Sequence, residues 1–127
     1  MSRLPIEVHR IYIQDINYKL DLSSEQNEIN LQFETHIAIN KDDEKQYMVV
    51  LKVSSPEGDK VIDLSSTVKG YFEVPKELKS SEREDKVYSF GTALCYSHLR
   101  ETVESICARI APQIHLPVVA FTKSDKE

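Results

Sequence analysis

The chain of 127 residues carries 16 Lys+Arg against 21 Asp+Glu, for a formal net charge of -5, and is 40% hydrophobic. A chain of this length buries roughly two-thirds of its unfolded surface, enough for one domain core without disulfides or metals. Its acidity argues against bulk nucleic-acid binding, no apolar run approaches the ~20 residues of a membrane span, and Met1–Glu7 has no apolar leader core, so neither membrane insertion nor secretion is expected and a cytoplasmic location is.

The first part of the chain reads as strands. Val8–Ile13 is rich in β-branched and aromatic residues and continues through Asp15, Ile16 and Tyr18 with a shift in alternation phase. Such a shift predicts a bulge or bend. After the polar connection 22–27, Ile29, Leu31, Phe33, Ile37 and Ile39 alternate with Asn30, Gln32, Glu34, His36 and Asn40, which predicts a strand with one buried face. Residues 40–45 are a turn by composition, short enough to make the next strand antiparallel. That strand, Tyr47–Val53, is apolar on both faces. Pro56–Asp59 is the next turn, and a fourth strand spans about Lys60 to Val74, with Ile62, Leu64, Val68, Phe72 and Val74 on its predicted buried side.

Pro75 ends the strand pattern. Residues 76–86, with eight charges in eleven positions and a net of zero, read as a charged connection or a solvated helix face. From Tyr88 onward the period is helical: Leu99, Val103, Ile106 and Ile110 fall on one stripe, flanked by Cys95, Tyr96 and Cys107. Arg100 and Glu104 stand at i,i+4 on another face, and Pro112 stops the helix. His115–Phe121 is a short extended apolar segment, and residues 122–127 form a polar tail expected to be flexible. Four strands followed by one long helix predict an α+β fold, a four-stranded antiparallel sheet with the helix on one face, in a single domain over residues 1–127.

Catalytic and cofactor chemistry finds no foothold in this pattern. The four histidines show no ligand spacing, so no metal is expected. Cys95 and Cys107 are twelve residues apart on one helix, about 18 Å, too far for a disulfide or a shared metal, and read as core thiols. There is no nucleophile elbow and no phosphate loop, so no cofactor is expected. What stands out is apolar surface in excess of what one helix covers. The far side of the sheet carries Met48, Val50, Tyr71 and either Tyr12 or its neighbours Ile11 and Ile13. Such a patch marks an interaction surface, either an oligomer interface or a site for other polypeptides.

Specific strings then match a family. Arg10-Ile11-Tyr12-Ile13-Gln14-Asp15-Ile16-Asn17-Tyr18 resembles the first strand of the SecB protein-export chaperones, where Arg-Ile-Tyr-x-x-Asp-x-Ser/Asn-aromatic is typical. Gly70-Tyr71-Phe72-Glu73-Val74 resembles the end of that family's fourth strand. Leu99–Arg109 followed by Leu116-Pro117-Val118-Val119-Ala120-Phe121 is similar to its helix and the Leu-x-Pro-Val-Asn-Phe segment after it, with Ala120 in place of Asn. The Pro-Asn-x-x-Phe-Pro entry to the family's helix is replaced by Leu94–His98, and no counterpart of its further helix and acidic tail follows Phe121. The resemblance implies a cytosolic, ATP-independent holdase for unfolded polypeptides, assembled as a dimer or tetramer with its helices, here Tyr96, Leu99, Val103 and Ile106, at the oligomer interface. Tyr12, Met48, Val50 and Tyr71 are the candidates for client binding. Docking on the SecA motor uses acidic residues of the exposed sheet face; Asp15 matches one such position, while two others fall on Lys19 and near Ser65. Two other classes compete: a non-catalytic adaptor of the same fold with a single partner, and a hot-dog-like thioesterase, whose helix follows an early strand rather than the fourth.

Overall fold

The computed structural model describes residues 6–25, 28–75 and 77–121. Four strands come first: β1 (Glu7–Leu20), β2 (Gln32–Asn40), β3 (Asp43–Ser54) and β4 (Ile62–Glu73). One helical stretch follows without a break: α1 (Ser80–Lys86), a π-helical turn (Val87–Gly91) and α2 (Thr92–Cys107). The fold is α+β, a four-stranded antiparallel sheet in the order β1-β4-β3-β2 with the long helix on one face. The expected tail 122–127, and Lys76 of the charged segment, lie outside the described residues.

Alternation sets the two faces of the sheet. In β4, Ile62, Leu64, Ser66, Val68, Gly70 and Phe72 are buried, and the intervening side chains are half-buried or exposed. In β3, Tyr47, Val49, Leu51 and Val53 are buried and meet Cys95, Tyr96, Leu99 and Val103 from the helix. Edge strand β1 shifts register between Val8 and Arg10 and again between Ile13 and Asp15, so His9 and Gln14 are bulges. This is the phase shift read in the sequence. It turns Ile11, Ile13 and Ile16 toward the core and leaves Tyr12 and Asp15 on the other face, although they are an odd number of residues apart.

The helix sits close to the sheet because two glycines permit it. A Cβ on Gly70 would lie 2.6 Å from the Phe72 ring and 2.8 Å from Cys95 Sγ, and one on Gly91 would lie 3.1 Å from Val49 and 3.2 Å from Phe72. The Phe72 ring is thus wedged between a strand glycine and a helix glycine. Buried helical residues recur every fourth position, at Arg83, Val87, Gly91, Cys95, Leu99, Val103 and Cys107. Four residues overshoot one α-helical turn, and the wider π turn brings that spacing back toward the sheet.

Three expectations are corrected here. The charged segment 76–86 is helical from Ser80, eight residues before the predicted helix start. Its signal is polar because the buried contact is made by Arg83, which donates to the carbonyl of Leu78 (2.6 Å) and approaches the Tyr47 hydroxyl (3.4 Å). The helix also ends at Cys107, before Pro112: the amides of Ile110 and Ala111 both donate to the Cys107 carbonyl, and Ile110 is 55% exposed rather than on the buried stripe. Finally, Tyr96, Leu99 and Val103, placed by the resemblance at an oligomer interface, are buried in the chain's own core, and Ile106 is half-buried. A side chain already removed from water by the sheet offers no further area to a second copy.

The extended segment 111–121 runs back along α2. Tyr96 donates its hydroxyl to the Pro117 carbonyl (2.5 Å), Arg100 donates to the Leu116 carbonyl (3.0 Å), and the Leu116 amide donates to Glu104 (3.0 Å). The Arg100–Glu104 pair read from the sequence is present at 3.5 Å. Phe33, Tyr96 and Phe121 meet edge to face, with centroids 5.1–5.9 Å apart, and tie β2 to this segment.

Candidate functional site

The register assigns the outer face of the sheet row by row, because directly paired residues project to the same side. One row runs Ala38, Met48, Tyr71, Arg10; the next runs His36, Val50, Lys69, Tyr12. The four candidate residues Tyr12, Met48, Val50 and Tyr71 therefore stand in two adjacent rows. All four are half-buried. The choice left open between Tyr12 and its neighbours falls on Tyr12, since Ile11 and Ile13 pack against the core. Asp15 is on the same face, one row further on, with Thr67, Lys52 and Glu34.

The aromatic pair at the centre is ordered. The Tyr12 and Tyr71 rings stack with centroids 6.4 Å apart and planes 12° from parallel, and the Arg10 guanidinium lies 4.6 Å above the Tyr12 ring. A hydrogen bond with Tyr12 holds the Tyr71 phenol above its ordinary range, and burial adds to this. Beside Tyr71 a groove of about 450 Å³ opens, lined by Met48, Ala38, Ile39, Gln46 and His9 among others. Ile39 adds apolar surface there, being 41% exposed; its odd position in β2 read as buried, but it lies at the strand end where the β2–β3 register shifts.

The remaining reactive side chains are scattered. Cys95 is fully buried, which pushes its thiol up to about 12, and burial raises Cys107 as well. Both shifts oppose thiolate formation, which a nucleophile needs. His36 pairs with Glu34 (2.5 Å), whose carboxyl is held below its usual range first by that hydrogen bond. Among the described residues one metal-like grouping occurs, Glu7, His9 and Glu73, with ligand atoms within 4.8 Å of one another. No local spacing announces it, because it depends on β1–β4 pairing and the bulge at His9. It is an exposed cluster at the sheet edge in which Glu73 is already engaged by His9 (2.9 Å) and Lys45 (3.5 Å). No helix among the described residues is long and apolar enough to cross a membrane.

No protein-family model matches this chain, and no curated protein does. Solved structures do. The SecB-like chaperone of Mycobacterium tuberculosis, in complex with a ChAD peptide from an antitoxin, superposes with a TM-score of 0.68 over 91% of each chain at 17% identity. A protein of unknown function from Streptococcus agalactiae superposes with a TM-score of 0.58 at 13% identity, over 94% of this chain and 100% of that one. At such identities the likeness is one of fold, and the fold is SecB-like.

Proposed function

We propose that this protein is an ATP-independent holdase that binds non-native polypeptides on the outer face of its sheet, in the cytoplasm, as a dimer or tetramer. The observation that carries the reading is the gathering of Tyr12, Met48, Val50 and Tyr71 in two adjacent rows on the face away from the helix. The fold shared with a chaperone solved on a peptide supports it. Completing the burial of four half-covered side chains contributes about 1 kcal/mol each. The sum of about 4 kcal/mol corresponds to millimolar affinity before the ordering cost of the client is subtracted. Weak, sequence-tolerant binding is what a holdase needs, and an oligomer that offers several such faces to one chain multiplies it. Met48 and the tyrosines adapt to varied partners. Such an action calls for no catalytic residue and no cofactor. Of the acidic positions that would dock SecA, Asp15 alone is supplied, with Lys19 and the neighbourhood of Ser65 at the other two.

A second reading is an adaptor dedicated to one partner, favoured by the antitoxin peptide held by the mycobacterial structure. Light scattering of a denatured model client separates the two. A holdase suppresses aggregation near stoichiometric ratio; no suppression at several-fold excess counts against it and leaves the adaptor.

A further inference from the structure

The outer face is not uniformly apolar, and in its two rows of candidate residues the charges have one sign, while the flanking rows carry Glu7 and Glu73 on one side and Asp15, Lys52 and Glu34 on the other. In the two rows that hold Tyr12, Met48, Val50 and Tyr71, the formally charged residues are Arg10 and Lys69, with no carboxylate between them. This is a local inversion in a chain of net charge -5. Among the described residues neither cation is in an ion pair; Arg10 lies over the Tyr12 ring. Of the acids in the flanking rows, Glu34 is engaged by His36 and Glu73 by His9 and Lys45, while Glu7, at the strand end, forms no ion pair among the described residues. Asp15, one row away, forms no ion pair among the described residues. Along β1, Arg10 and Tyr12 are two residues apart; along β4, Lys69 and Tyr71 are. Cation and aromatic ring thus alternate with the period of an extended chain on both strands.

Resting on the holdase or adaptor reading of this same face, we propose that it selects extended segments in which an apolar and an acidic side chain stand two residues apart. The apolar side chain packs on the Tyr12–Tyr71 stack and Met48, and the carboxylate meets Lys69 or Arg10. A basic segment of equal hydrophobicity is rejected by the same two cations.

The test uses two fluorescein-labelled peptides, repeats of Phe-Ser-Asp-Ser and of Phe-Ser-Lys-Ser, titrated with the full chain and followed by anisotropy. Two exposed charge contacts give roughly a five- to tenfold preference for the acidic peptide at low salt, shrinking at high salt. The double variant Arg10→Glu with Lys69→Glu reverses the order, and its unfolding transition shows whether it is folded; the single variant Lys69→Gln, which only removes one charge, narrows the preference if the double variant does not fold. Equal affinities, or tighter binding of the lysine peptide to the unaltered protein, overturn the preference and leave the underlying reading standing. Binding of neither peptide overturns both.

Discussion

Gly70→Ala is a one-methyl test of how the helix is seated. Gly70 is in β4 on the core face, and glycine in a strand interior ordinarily weakens it, so alanine at an open site adds about 0.5–1 kcal/mol of stability. Here the added Cβ would stand 2.6–2.7 Å from two atoms of the Phe72 ring and 2.8 Å from Cys95 Sγ. The ring is confined, since it is 1% exposed within the core between sheet and helix. With contacts under 3.0 Å the overpacking cost falls in the upper part of its range, about 2–3 kcal/mol, leaving a net loss of about 1–2 kcal/mol after the backbone gain. For a domain of this size that lowers Tm by about 3–10 °C in a thermal unfolding scan. Phe72→Leu removes the obstructing ring edge, so in that background Gly70→Ala costs less than in the unaltered protein. A rise in Tm on Gly70→Ala alone, or an equal cost in both backgrounds, would refute the wedge between sheet and helix.

Three further outcomes are expected. Tyr71→Asp and Met48→Asp each weaken client binding while costing no more than about 1 kcal/mol of stability, because both side chains face outward; unfolding of both variants, seen by circular dichroism, would make them core residues instead. Arg83→Met lowers stability by about 1–3 kcal/mol in a urea titration, since the Leu78 carbonyl loses its 2.6 Å donor, whereas no change would mean that α1 is not pinned by this contact. Stability falls in alkali: burial pushes the Cys95 thiol up from 9.0 to about 12, so the folded state keeps a proton that the unfolded state releases. The curve is then flat in this respect below about pH 8 and declines as pH rises through 9 and beyond, and Cys95→Ala removes part of the decline; a slope unchanged by that substitution would point to other groups, such as Tyr96, whose phenol burial also pushes up to about 12.

Local patterning carried much of this structure. The period-two run in β2 and the phase break in β1 depend on near neighbours, and both appear, the second as the bulges at His9 and Gln14. Alternation puts Met48 and Val50 on one face of their strand, whereas the phase break in β1 left Tyr12 and its neighbours Ile11 and Ile13 open until packing showed both isoleucines against the core. The adjacency of the four candidate residues is another matter: Met48 opposite Tyr71 and Tyr12 opposite Lys69 follow from pairing β3 and β1 with β4, and no local rule supplies a register between distant strands. The helix start was hidden because its first turn is anchored by an arginine rather than an apolar residue. The helix end was missed because Ile110 continues the apolar spacing while the chain has already turned at Cys107. Assigning Tyr96, Leu99 and Val103 to a subunit interface failed for a simpler reason, in that one apolar stripe covers one surface, and here the chain's own sheet takes it.

The most direct measurement is a site-specific photo-crosslink. A photoreactive residue is placed at Tyr71, on the outer sheet face, and in a second protein at Glu101, exposed on α2. Each is irradiated with a denatured model client. Crosslinks from position 71 and none from position 101 are expected; client captured at 101 and not at 71 would contradict binding on the sheet.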